Sequence, residues 1–134
     1  MDALRRLKSN IDSGVFGAQL LAAARGLSQG WEDHARVMKE YGARRRLILE
    51  CLEACGLEWH RSPATLYIWG RVPGNGSSLE FARLLLEHAG VLVTPGVGFG
   101  SAGEGYFRVS VTCPTERIRI AGTRLPEVCK LWMT

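Results

Sequence analysis

No stretch of this 134-residue chain approaches the roughly 18 consecutive apolar residues of a membrane span, so no transmembrane helix is expected. No CxxC pair occurs, and His34, His60 and His88 are scattered without ligand spacing, which argues against a zinc site. GxSxG and the P-loop pattern are both missing. That removes the nucleophile-elbow hydrolases and the P-loop nucleotidases. Repeats, low-complexity tracts and charge blocks are also lacking, so solenoids and disordered linkers are not indicated.

What remains describes one globular domain. With 46% hydrophobic and 22% charged residues, the chain is large enough to bury a core. Its net charge of +4 permits an anionic ligand without demanding nucleic acid. Much of the excess sits in Arg5/Arg6/Lys8 and Arg44/Arg45/Arg46. The second triplet interrupts a helical pattern and has no interleaved aromatics, so it reads as a solvated helix face, not a phosphate track. Cys51 and Cys55 stand four apart on a predicted helix, a spacing seldom bridged. With Cys113 and Cys129 they suggest a reduced, cytoplasmic protein. The basic start, the apolar stretch Val15 to Ala24 and the Ala22-Ala23-Ala24 run faintly imitate a signal peptide, but Asp12, Gly14 and Gln19 interrupt it.

Helices and strands alternate along the chain. Gly14 to Leu27 predicts a buried helix, and a longer one runs from Ser28 or Gln29 to about Cys55, with Gly56 as its C-cap. Ala64 to Val72 alternates as a strand, and Pro73-Gly74-Asn75-Gly76 is a turn. Ser77 or Ser78 caps a helix with Phe81, Leu84, Leu85 and His88 on its buried side, ended by Gly90. Val91 to Thr94 is a short buried strand stopped by Pro95. A final helix opens at Pro114 or Thr115, with Gly122 and Pro126 weakening its second half. The expected architecture is a small α/β (α+β) domain, a mostly antiparallel sheet with helices packed on it.

One strand carries chemistry. In Gly105-Tyr106-Phe107-Arg108-Val109-Ser110-Val111-Thr112, Phe107, Val109 and Val111 face one way, and Tyr106, Arg108, Ser110 and Thr112 the other. An arginine on the polar face of a short strand is placed to meet a planar anion with its guanidinium fork. Upstream, Gly98-Phe99-Gly100-Ser101-Ala102-Gly103 fits GxGxxG. A dinucleotide site needs a helix next, and a strand follows instead, so that reading fails. The glycines are better explained by a loop lying close to a ligand or to another backbone. Glu104 and Asp12 are the nearby carboxylates, and nothing pairs them for acid–base work.

Several segments in order carry a family resemblance: Lys8 to Phe16, Tyr41 with Arg44-Arg45, Pro63 to Trp69, Phe81-Ala82, Val93 to Gly96, Phe99-Gly100, Gly103 to Arg108 and Glu116 to Ile118. Together the chain resembles the C-terminal portion of the class I/II aminotransferases, pyridoxal-phosphate enzymes of fold type I. It is most similar to the branch that includes LL-diaminopimelate aminotransferase. The resemblance implies that Arg108 binds the α-carboxylate of an amino-acid or 2-oxo-acid substrate, with Asn10 reaching toward the partner subunit's active site. It implies residues 1–30 as a remnant of the large domain and its interface helix, and 31–134 as the small C-terminal domain. The family's Schiff-base lysine lies N-terminal to this segment, and Lys8, Lys39 and Lys130 do not match its motif. The expectation is therefore a truncated reading frame or fragment, inactive and without bound cofactor when alone. It would be homo-oligomeric or joined to a missing N-terminal portion, with neither nucleic acid nor membrane as partner. The alternative is a non-catalytic, self-associating module derived from the same fold.

Overall fold

The computed structural model describes residues 1–11, 14–74 and 76–133. Asp12 and Ser13, in the first segment that carries the family resemblance, and Asn75, in the expected turn, lie outside the described residues. Two compact units are present, Met1–Met38 and Lys39–Thr134.

The first unit holds α1 (Asp2–Ile11), α2 (Gly17–Gln29) and the first part of α3 (Trp31–Ala54). Neither α1 nor α2 has a buried residue. This corrects two expectations: α1 went unread, and the apolar helix expected to be buried instead exposes Leu20, Leu21 and Leu27. The break between α2 and α3 falls at Gly30, whose N–H still bonds the Gly26 carbonyl. The long helix therefore starts at Trp31, later than its pattern suggested.

In the second unit, α3 contributes Ile48 and Leu52 to the core and closes on Gly56 in the left-handed region, φ 66°. The sheet has order β1-β3-β2 and is antiparallel throughout: β1 is Tyr67–Arg71, β2 Thr94–Pro95 and β3 Tyr106–Ser110. Trp69 pairs with Arg108 and Gly70 with Phe107. A β-carbon on Gly70 would strike the Phe107 ring, so glycine there is what lets that ring fill the core beneath the strand. Strand β2 is shorter than predicted and begins only at Thr94. Leu92 is exposed while Val93 is buried, so residues 91–93 approach the sheet without joining its ladder.

Helix α4 (Ser78–Leu84) is capped by Ser77, whose hydroxyl accepts the Glu80 N–H, and its end widens into a π-turn over Leu85–Ala89. Gly90, φ 68°, terminates it as expected. The last helix, α5 (Thr115–Met133), runs unbroken through Pro126. A proline inside a helix costs about 3 kcal/mol. Burying Ile118, Leu125, Val128 and Cys129 is worth more, at about 1.5–3 kcal/mol for each large side chain. Phe81 packs on Phe107 and on Trp132, ring centroids 5.2 Å apart in each case, which joins α4, the sheet and α5.

The arginine triplet does more than face solvent. Arg45 donates to the carbonyls of Ser62 and Tyr67 at 2.8 and 3.3 Å, fastening the lead-in to β1. Arg44 pairs with Glu40 and donates to the Thr112 carbonyl beyond β3. Only Arg46 is the exposed residue that the charge pattern suggested.

Candidate functional site

Alternation along β1 and β3 sorts side chains between two faces. Ile68, Phe107 and Val111 go to the core, and Tyr67, Trp69, Tyr106 and Arg108 to the outer face. Trp69 stacks on Tyr106 at 5.7 Å between centroids, and Phe99, from the glycine-rich loop, meets Trp69 edge-on at 5.5 Å. The Arg108 guanidinium carbon lies 4.1 Å from the Tyr67 ring centroid and 4.7 Å from that of Phe99. Among the described residues Arg108 forms no ion pair and no side-chain hydrogen bond, although it is half-buried. Guanidinium groups at such sites ordinarily find a carboxylate or carbonyl. Two rings and no acceptor leave its N–H donors unpaired among the described residues.

The loop bearing Phe99 is short and bound at its base. It consists of two 3-10 turns, Gly96–Phe99 and Ser101–Gly103, and its glycines do different jobs. Gly96 and Gly103 lie so close that a β-carbon on either would collide with the other's carbonyl. Gly100 takes φ 111°, in the region open to glycine. The GxGxxG match is thus answered by close backbone approach, the explanation that survived from sequence, and not by a helix N-terminus. Glu104, which sequence reading left without a role, accepts from the Ser78 N–H at 2.6 Å and the Ser78 hydroxyl at 3.0 Å. The backbone bond from Ser78 holds the Glu104 carboxyl below the usual carboxylate range, with the Ser78 hydroxyl and the Gly105 N–H adding to it against partial desolvation. Neither Ser78 nor the reach of Phe99 could have been found from spacing, because both depend on how the loop folds back.

Asn10 lies on α1 in the first unit, where its side-chain amide donates to the Arg6 carbonyl at 2.8 Å. Lys8, Lys39 and Lys130 are all exposed, on α1, α3 and α5. A lysine that forms a Schiff base needs a desolvated pocket that lowers its pKa, and none of the three has one. Among the described residues no group of His, Cys, Asp or Glu is placed to hold a metal ion, and no helix is long and apolar enough to cross a membrane.

A cavity of about 390 Å³ opens on the other face of the sheet, lined by Ile48, Leu85, Phe107, Val109 and Ile118 among others. It is an apolar recess of the core, turned away from the Arg108 face. All four cysteines are free. Burial pushes the thiols of Cys51 and Cys55 up, and that of Cys129 to about 12, so none of these three is an activated nucleophile.

Residues 1–125 match the family model described as aminotransferase class I and II. LL-diaminopimelate aminotransferase of Natranaerobius thermophilus is 42% identical over 130 residues, covering 97% of this chain and 33% of that protein. The enzyme of the same name from Aquifex aeolicus is 43% identical over 125 residues, covering 93% and 32%. Among solved structures, an aminotransferase from Staphylococcus aureus superposes with a TM-score of 0.84 at 26% identity, covering 98% of this chain and 35% of that one. Substrate-bound BacF from Bacillus subtilis gives 0.80 at 30% identity, covering 95% and 33%. The chain spans about a third of the length of these relatives, their C-terminal portion. Its helices on a small antiparallel sheet are those of the type I pyridoxal-phosphate aminotransferase fold. This chain belongs to the class I and II aminotransferase family.

Proposed function

We propose that this chain is the substrate-carboxylate arm of an aminotransferase, an enzyme that moves an amino group between an amino acid and a 2-oxo acid. Arg108 is the residue that receives the α-carboxylate. The observation carrying this reading is a half-buried guanidinium flanked by two aromatic rings, with no anion to pair with among the described residues. A carboxylate is planar and accepts two parallel N–H bonds from such a fork. The relatives named LL-diaminopimelate aminotransferase support an amino-acid substrate class. Residues 1–30 belong, on this reading, with the large domain and interface of the complete enzyme, and 31–134 with its small domain. Asn10 points toward a partner subunit's site. The cofactor and the lysine that binds it belong to the remainder of the enzyme, and the chain alone neither holds pyridoxal phosphate nor transaminates.

The test uses the chain as it is. Titration with a 2-oxo acid should perturb the Arg108 side-chain resonance, and Arg108→Gln should abolish the response. Pyridoxal phosphate should give no aldimine absorbance. Turnover of amino acids by the chain, or an Arg108 signal indifferent to 2-oxo acids, would sink the reading.

A second reading, self-association, is favoured by one observation. The first unit exposes Leu4, Leu7, Ile11, Phe16, Leu20 and Trp31, large apolar side chains of the kind that association would cover. Light scattering decides it: a clean monomer at high concentration counts against self-association.

A further inference from the structure

Ser78 is completely buried and sits at the first position of α4, yet all its side-chain bonds run to the glycine-rich loop. Its hydroxyl donates to one Glu104 oxygen at 3.0 Å, its N–H donates to the other at 2.6 Å, and the hydroxyl accepts the Val97 N–H at 3.3 Å. One serine therefore grips the loop at residue 97 and again at residue 104, just where the Gly96 and Gly103 backbones meet. Everything beyond that neck, residues 97–102, is exposed. From the exposed part Phe99 reaches back onto the outer face of the sheet, where its ring contacts are Trp69 and the Arg108 guanidinium.

We propose that Ser78 and Glu104 are positioning residues for the Arg108 site: they clamp the loop so that Phe99 and Tyr67 hold the guanidinium plane between two rings. This rests on the reading of Arg108 as the carboxylate-binding group. A long, flexible arginine gains affinity when its rotamer is fixed before the anion arrives, since less conformational freedom is then lost on binding. Rings fix the plane without occupying the N–H edges, which an ion pair would do. The clamp has a second effect. Glu104 is four residues from Arg108 and is the acidic side chain closest to it in sequence, yet both its oxygens are engaged by Ser78. With no salt bridge to Arg108 among the described residues, the carboxylate that could quench the site is kept out of it.

The experiment follows the Arg108 Nε–Hε resonance in the isotopically labelled chain, with pyruvate as the probe. In the native chain that proton should carry a ring-current shift and move as pyruvate is added. Phe99→Leu and Ser78→Ala should each lose the Phe99 share of the ring-current shift, leaving that of Tyr67, and weaken pyruvate binding about five- to tenfold, the scale of one positioning contact. Glu104→Gln keeps one acceptor and should fall between native and Ser78→Ala. A folded Ser78→Ala chain with native Arg108 shift and native affinity overturns the proposal. If Ser78→Ala does not fold, Phe99→Leu decides, because Phe99 is 52% exposed and contributes little to the core; an unchanged resonance and affinity there also overturn it. Should the native chain ignore pyruvate while Ser78→Ala still shifts the Arg108 proton, the carboxylate reading fails and the clamp stands.

Discussion

Two glycines five residues apart in the same loop should respond to alanine with opposite signs. A β-carbon on Gly103 would run into the Gly96 carbonyl, whose carbon would stand 2.7 Å away. The obstacle is backbone, and its partner Gly96 is hemmed in by the Gly103 and Tyr106 carbonyls, so no side chain can swing aside. Overpacking a tight site costs about 1–3 kcal/mol, and an unyielding backbone puts Gly103→Ala at the upper end. Gly98 has open space around the same position and an ordinary φ. There alanine only restricts the unfolded chain, so Gly98→Ala should stabilise by about 0.4–1 kcal/mol. Urea unfolding followed by circular dichroism measures both. With a slope of about 1–3 kcal/mol per molar urea, the two midpoints should separate by about 1 M or more. The Arg108 environment adds a second readout, because Gly103→Ala must move Phe99 and Gly98→Ala need not. If both variants shift stability alike, or Gly103→Ala matches the native chain, the loop does not owe its glycines to close backbone approach.

Thr65 holds φ 85°, a conformation that a β-branched residue adopts at a cost of about 1–3 kcal/mol. Thr65→Gly should relieve it and, after the extra backbone entropy of glycine, raise stability by about 1 kcal/mol in the same unfolding assay; a loss would show that the threonine side chain holds the lead-in to β1. Glu104 has a folded pKa below its unfolded value of about 4.3. Its stabilisation is therefore complete above that value and lost as pH falls through the lower, folded one. Glu104→Gln should flatten the acid limb of the stability profile, and an unchanged limb would refute the bond to Ser78. Thiol labelling should reach Cys51 and Cys113, both half-buried, before Cys55 and Cys129, which react only on unfolding. Equal labelling rates for all four in the folded chain would contradict the burial of Cys55 and Cys129.

The sheet and the outward face of Arg108 were legible because their signals are local. Alternation in Tyr106–Ser110 put Arg108 on the outer face, and the short loop before it forced an antiparallel neighbour. Ser77 and Gly90 bounded α4 through capping chemistry that depends on nearest neighbours alone. What escaped depends on distant partners. The apolar pattern of α2 promised burial, but periodicity tells which side wants covering and not what covers it. Gly122 and Pro126 weakened the second half of the last helix, and the burial of Leu125, Val128 and Cys129 around Pro126 outweighed it. Arg44 and Arg45 read as solvated charge because nothing local shows a backbone carbonyl some 17 to 68 residues away waiting for a donor.

Arg108 itself brings these two kinds of information together. Its position and face follow from period 2, whereas its neighbour Phe99 is brought to it by a loop that Ser78 holds at Val97 and Glu104. Each of those three looked inert or ambiguous in sequence: an exposed aromatic, a capping serine, an unpaired acid. Beside them lies a guanidinium 4.7 Å from the Phe99 ring centroid with no carboxylate paired to it among the described residues. A strand arginine that merely decorated the surface would gain nothing from such an arrangement, because exposed ion pairs contribute about 0–1 kcal/mol however they are held. On the proposed reading, ordering the guanidinium in advance lowers the conformational cost of binding a planar anion.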